Sequence, residues 1–199
     1  MTFKECVETI TCDLRSRKQS LSLGTLLKDP IARFHVYLRL TEYLSGSNFA
    51  PFYYLCKWRF LSLSCRLGFS IPEGTLGKGV YLPHYGTIVV NSRAFVGDYS
   101  VLNVGVVIGR HPTSKNKVPT LGQGVYLGPG VKVFGDLVID EQSVVGANSV
   151  VTSNIPAREL WVGSPAKLLR SIGEQEYQNF VSNPKAWNAS YSESEYADP

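Results

Sequence analysis

From Leu121 to Val151 an aliphatic residue falls on every sixth position: Leu121, Leu127, Val133, Ile139, Val145 and Val151. Two companion columns keep the same step. Four residues after the anchors stand Val125, Val131, Leu137, Ser143 and Ser149. Three residues after them stand Gly124, Gly130, Asp136, Gln142, Asn148 and Asn154, mostly types that tolerate a left-handed backbone. A six-residue period fits neither an amphipathic helix nor an alternating strand. It is the mark of a hexapeptide parallel β-helix, in which each hexad is one short strand and a turn. The aliphatic columns then stack into an inner core that each coil buries only against its neighbours.

The pattern also runs upstream, with two interruptions. Leu76, Leu82 and Ile88 are six apart, and "LGKGVY" at Leu76 nearly repeats "LGQGVY" at Leu121. Val96, Leu102 and Ile108 form another run. An eight-residue step separates Ile88 from Val96, and a thirteen-residue step separates Ile108 from Leu121. Such insertions become loops on one side of a solenoid, the side that usually carries function. The longer gap holds "GRHPTSKNKVPT", polar, basic and rich in turn residues, and is read as an active-site arm.

The fold expected is mainly β: a left-handed parallel β-helix over residues 69–165. A helical N-terminal segment over residues 1–68 precedes it, and a short C-terminal helix with an acidic tail over 166–199 follows. In "DPIARFHVYLRLTEYL", Asp29 is the expected N-cap and Pro30 the first helical residue. "PFYYLCKWRFLSLSCRL" reads as the next helix after a Gly-Ser turn, and a last helix is expected around Glu174 to Val181. The Ser/Glu/Tyr-rich tail beyond it reads as disordered.

Cys6, Cys12, Cys56 and Cys65 show no CxxC spacing and read as reduced thiols, which places the chain in the cytoplasm. Met1 to Ser20 is mixed and polar, so no signal peptide is expected. The most hydrophobic stretch, Ala50 to Phe69, carries Lys57, Arg59 and Arg66 and is too charged for a comfortable membrane span. Its interleaved basic and aromatic residues instead allow peripheral contact with anionic lipid, or packing on a neighbouring subunit. The net charge is a mild +4, and no nucleic-acid partner is expected.

Three histidines are present: His35, His84 and His111. His35 lies among apolar residues of a helix and reads as a packing residue. His84, in "YLPHYGTIVV", and His111, in "IGRHPTSKNK", each adjoin a break in the period. A solvated surface histidine is the plain alternative for both. No two histidines have the close spacing of a zinc hydratase built on such a solenoid, so no metal is expected.

Residues 69 to 170 resemble the catalytic domain of the serine acetyltransferase branch of hexapeptide-repeat acyltransferases. The matching pieces are "SIPEGTLGKGVYLPHYGTIVVNSRAFVGDYSVL", "PTLGQGVYLGPGVKVFGDLVI", "VVGANSVVTSNIP" and "VGSPAKLLR". The resemblance implies acetyl-CoA as donor and His84 as general base for direct attack of an acceptor hydroxyl on the thioester. It implies a homotrimer, or a multiple of three, with acetyl-CoA in the groove between adjacent solenoids. Pro129 and Ala147 would line the pantetheine arm, Thr152 and Ser153 would lie near the nucleotide, and Lys167 and Arg170 would meet its phosphates. The alternatives are structural turns for Pro129 and Ala147 and a solvated basic helix end for Lys167 and Arg170. His111 has its own claim, because galactoside-type relatives place a catalytic histidine in an "x-His-Pro" loop; His84 is preferred, with His111 assisting.

Departures from the branch bear on the acceptor. An aspartate before the histidine is replaced by Pro83, the upstream orienting acid has only Glu73 as a nearby substitute, and a basic pair before Pro119 is replaced by Lys117 and Val118. The two charges of serine need opposite charges around them, whereas a sugar hydroxyl does not. The preferred expectation is therefore O-acetylation of a sugar in polysaccharide biosynthesis. Serine O-acetylation is the alternative, and a non-catalytic scaffold is the alternative of another class.

Overall fold

The computed structural model describes residues 1–46, 49–113 and 117–181. Ser47 of the expected Gly-Ser turn and the expected disordered tail from 182 onward lie outside the described residues. Four helices come first: α1 (Phe3–Arg15), α2 (Leu23–Lys28), α3 (Pro30–Leu44) and α4 (Ala50–Leu67). Asp29 caps α3, its carboxylate accepting from the amides of Ile31 and Ala32, with Pro30 at the first turn. α4 ends where Gly68 turns left-handed at φ 76°. Among the described residues no helix is long and apolar enough to cross a membrane.

A left-handed parallel β-helix with three faces follows. The first face stacks β1 (Phe69–Ser70), β2 (Ile88–Val90), β5 (Val107–Gly109), β8 (Lys132–Phe134) and β11 (Val150–Val151). The second stacks β3 (Phe95–Val96), β6 (Thr120–Leu121) and β9 (Val138–Ile139). The third stacks β4 (Val101–Leu102), β7 (Tyr126–Leu127), β10 (Val144–Val145), β12 (Glu159–Gly163) and β13 (Ala166–Ser171). All pairings are parallel except that of β12 with β13.

Every anchor of the six-residue column, from Leu76 to Val151, is buried in one core. Truncating one of these fully buried side chains to Ala costs about 2–5 kcal/mol. Val125, Val131 and Leu137 are buried beside them, and the two serines in that column are satisfied. Ser143 Oγ donates to Pro156 O at 2.7 Å, and Ser149 Oγ accepts from the Gly163 amide at 3.0 Å. The turn column is left-handed at Gly124, Gly130, Gln142 and Asn148, but not at Asp136 or Asn154. At the first of these corners Gly135 takes the positive φ (118°) instead. At the second the coil is short, Ile155 bridging back to Ile139, and Asn154 Oδ1 accepts from the Val138 amide at 2.9 Å.

The upstream interruption sits elsewhere than the anchor count placed it. Val90, not Ile88, pairs with Ile108, whereas Tyr81 bridges to Val101. The former pair is 18 residues apart and the latter 20, so two extra residues lie between Leu82 and Val90, at the turn carrying His84. Ile88 and Val90 both point inward, which is why the column could be counted through either. The second insertion lies in the "GRHPTSKNKVPT" stretch: Val107 pairs with Lys132, 25 residues on, where Lys132 pairs with Val150, 18 on.

The segment from 166 opens as a strand, β13, rather than a helix. α5 (Glu174–Phe180) follows and covers the outside of the third face, Tyr177 and Phe180 packing over Val144, Leu160 and Tyr126. Tyr177 Oη donates to Gly124 O at 2.6 Å.

Candidate active site

The two-residue insertion lifts His84 and Tyr85 out of the corner between the third and first faces, and both are exposed. Gly86 lies directly over the next coil, since a Cβ there would come within 2.9 Å of Val104 Cγ1. The register places Val104, Pro129 and Ala147 successively along this same corner. Each follows its third-face anchor by two residues: Leu102, Leu127 and Val145. Pro129 and Ala147 are exposed, and Gly130 and Asn148 beside them hold left-handed turns. His84 therefore heads a column of short side chains running down one edge of the solenoid.

The helices build the other wall of the His84 cleft. Arg17, Gln19, Lys28, Asp29, His84 and Tyr85 line a space of about 360 Å³. Arg17 is the organiser. Its guanidinium donates to Leu82 O at 2.6 Å and to Asp29 Oδ2 at 2.6 and 3.2 Å. Gln19 Nε2 adds a bond to Asp29 Oδ2 at 2.8 Å, while Asp29 Oδ1 receives the Ile31 and Ala32 amides at 2.8 and 3.1 Å. Burial opposes ionisation of Asp29, but the bonds from Arg17, Gln19 and the Ala32 amide outweigh it and hold its carboxyl below the usual range. The carboxylate is saturated by the protein itself. The His84 ring, by contrast, has no hydrogen-bond partner among the described residues.

Sequence reasoning found Asp29 only as a helix cap and did not single out Arg17 or Gln19. The bond from Arg17 to Leu82 O spans 65 residues of chain and leaves no periodic trace. Glu73, the nearest acid to the missing orienting position, is ion-paired with Lys57 and lies outside the His84 cleft. Pro83 lines the cleft without charge.

His111 stands on the opposite edge of the first face. Its Nδ1 accepts from the Thr113 amide at 3.3 Å and faces Thr113 Oγ1 at 2.9 Å. An amide can only donate, so Nδ1 is the acceptor and the proton of the neutral ring sits on Nε2. Lys117 O closes the loop base on the His111 amide at 2.7 Å. Ser114, Lys115 and Asn116 lie outside the described residues. Thr152 and Ser153 are exposed at this same edge, two coils below Arg110.

Lys167 and Arg170 lie on β13, not on a helix end, and both are exposed. The hairpin turn after Gly163 is at the foot of the His84 corner, because Trp161 pairs with Val145. Arg170 is ion-paired with Glu176, which offsets part of its charge. The sequence-derived set thus falls into three groups: His84, Pro129 and Ala147 on one edge, His111, Thr152 and Ser153 on the other, and Lys167 with Arg170 on the terminal hairpin. Among the described residues no group of His, Cys, Asp and Glu could hold a metal ion.

No family model matches the chain. It is 35% identical over 103 residues to a serine acetyltransferase of Synechococcus elongatus, a match covering 51% of this chain and 42% of that relative. The chain thus spans less than half the length of that relative. A longer match, 30% identical over 158 residues, covers 78% of this chain and 96% of the Escherichia coli K12 protein described as "Putative colanic acid biosynthesis acetyltransferase WcaB". Among solved structures, a serine acetyltransferase from Brucella abortus superposes with a TM-score of 0.67 at 25% identity, covering 85% of this chain and 71% of that one. A serine acetyltransferase of the same source in complex with coenzyme A gives the same score at 24% identity, covering 86% and 70%.

Proposed function

We propose that this chain, which belongs to the serine acetyltransferase-like family of hexapeptide-repeat acyltransferases, transfers acetyl from acetyl-CoA directly to a sugar hydroxyl with His84 as general base. The observation that supports this most is the column of Val104, Pro129 and Ala147 leading along one corner to an exposed His84 with no hydrogen-bond partner among the described residues. Short side chains leave room for a thin pantetheine arm along this corner. The hairpin of Lys167 and Arg170, together with Thr152 and Ser153, would meet the nucleotide and its phosphates.

In the step itself the His84 imidazole takes the proton of the acceptor hydroxyl as its oxygen attacks the thioester carbonyl. The carbon–sulfur bond then breaks, and the coenzyme A thiolate leaves and is protonated. His111 is the weaker candidate for base, because its Nδ1 is occupied and its Nε2 carries the proton; it assists by positioning.

Two features of the cleft support a sugar as acceptor. Asp29 already receives five hydrogen bonds from the protein and has little capacity left for a substrate ammonium. Tyr85 projects beside His84, 70% exposed, and offers a ring face on which a sugar can stack. WcaB, named for colanic acid biosynthesis and matched over 96% of its length, points the same way. Serine remains the second reading, favoured by the 35% match to the Synechococcus enzyme.

The assembly is a homotrimer or a multiple of three, with the His84 edge of one copy facing the His111 edge of the next. Phe95 and Val138, aligned on the second face, are exposed apolar groups that such packing would cover. The four thiols, none in a disulfide, suit the cytoplasm. A screen of serine against nucleotide sugars and oligosaccharides, with acetyl-CoA as donor and free thiol as readout, tests the reading. Sugar turnover should exceed serine turnover by at least about tenfold, a difference of about 1.4 kcal/mol in the barrier. Serine turnover matching every glycan would reverse the choice, and no thiol release from any acceptor would favour the scaffold.

A further inference from the structure

The outer surface of the helical segment is apolar where a lone soluble helix pair would be polar. On α4, Tyr54, Trp58 and Leu61 follow one another at helical spacing and are 68, 59 and 49% exposed. On α2, Leu23 and Leu27 are also exposed. Between the two helices runs a groove of about 300 Å³ whose walls include Leu26, Phe52, Leu55 and Arg59, with α3 as its floor.

Charge on this surface has one sign. No Asp or Glu occurs between Glu42 and Glu73, a span that holds Lys57, Arg59 and Arg66. Arg59 is exposed, its guanidinium 5.0 Å from the centre of the Trp58 ring, and Arg66 is exposed on the same face of α4, two turns on. Lys28 closes α2, and Arg33 lines the groove. Lys57 is the exception, since Glu73 neutralises it. Exposed Trp and Tyr beside unneutralised Arg match the boundary of an anionic bilayer, where rings sit at headgroup depth and cations meet phosphate.

The surface also has a defined relation to the His84 cleft. Leu26 lines the groove and Lys28, two residues on, lines the cleft. α2 is thus the partition between them.

We propose that the outer face of α2 and α4 docks on an anionic lipid surface and holds the His84 cleft at the membrane boundary. The acceptor is then reached from the membrane side, as a glycan anchored in the lipid; this last step rests on the acetyl-transfer reading, and the docking does not.

The test uses the full chain, sedimented with vesicles of phosphatidylcholine alone or mixed with phosphatidylglycerol. Binding should need the anionic lipid and weaken as salt rises. Arg59→Glu should lower partitioning by more than about tenfold, and Tyr54→Ala/Trp58→Ala by a similar factor. Both variants should keep the wild-type oligomeric state by light scattering and the wild-type rate on a soluble acceptor. Failure to bind anionic vesicles, or equal binding to neutral ones, overturns the docking. So does a variant that loses its oligomeric state, because the face would then be covered by a second copy of the chain. Vesicle binding without acetyl transfer to any acceptor supports the docking and overturns the acetyl-transfer reading instead.

Discussion

Arg39 Nε donates to Asp13 Oδ2 at 2.8 Å, with both side chains buried at the seam between the helices and the first coil. Arg39 also donates to Leu76 O at 2.9 Å and Gly77 O at 2.6 Å, while Asp13 Oδ1 accepts from the Gly79 amide at 2.6 Å. One ion pair therefore joins the helical wall of the cleft to the solenoid that carries His84. Burial disfavours the Asp13 carboxylate, but Arg39 foremost, and His35, pull its pKa below the usual range.

Acid should loosen this seam. A carboxyl with a depressed folded pKa contributes stability that is present above the ordinary carboxylate range and lost as pH falls through the depressed value. Thermal stability should thus decline below about pH 4, the unperturbed Asp value. Arg39→Met leaves a buried carboxylate uncompensated and should cost about 3–5 kcal/mol in urea unfolding. Its acid transition should also move to higher pH, because Asp13 loses the partner that depressed it. An unchanged acid midpoint in the variant would show that the pair does not govern the seam.

Arg17 should matter to the acceptor rather than to the donor. Arg17→Ala removes the bonds to Leu82 O and Asp29 Oδ2, two residues from His84 and across the cleft from it. Losing these charged hydrogen bonds should destabilise the chain by about 1–3 kcal/mol. Acceptor kcat/KM should fall by roughly tenfold, about 1.4 kcal/mol of transition-state stabilisation, with acetyl-CoA affinity by calorimetry unchanged. Lys at this position should rescue little, since one ammonium cannot serve both acceptors in the fork geometry.

The exposed corner should answer in the opposite way. Ala147 touches solvent, so Ala147→Trp should leave the melting temperature within a degree or two of wild type, as surface changes do. It should weaken acetyl-CoA binding by at least about tenfold, roughly 1.4 kcal/mol, if the pantetheine arm runs along Pro129 and Ala147. Calorimetry checks this directly. Undiminished affinity would move the donor off this edge.

How much of this was legible beforehand depends on the range of each interaction. The anchors from Leu76 to Val151 announced the solenoid because stacking repeats the same environment every hexad, and Asp29 announced the start of α3 because a cap acts locally. The insertion was misplaced by one strand because Ile88 and Val90 both face the core, and periodicity cannot choose between two inward residues on one strand. The sequence offers only a helix end at Lys167 and Arg170, and the pairing of β13 with β12 puts them on a strand instead. The second wall of the cleft was invisible for a different reason. Arg17, Gln19 and Asp29 meet Leu82 and His84 through folding of one segment onto another, which no spacing within either segment encodes.

The same geometry sets the comparison between the two histidines. His84 lines the cleft with no hydrogen-bond partner among the described residues, whereas His111 Nδ1 is held by Thr113 on the far edge of the first face. His84→Ala should therefore lower turnover by roughly 10²–10⁴, the range for losing general-base catalysis, with little change in acetyl-CoA affinity. His111→Ala should cost less and appear mainly as a raised acceptor KM, the signature of lost positioning. Thr113→Val offers a control, because it removes the hydroxyl beside His111 Nδ1 without touching His84. If His111→Ala is inactive while His84→Ala keeps most of its rate, the base is the loop histidine, and the chemistry belongs to the opposite edge of the first face.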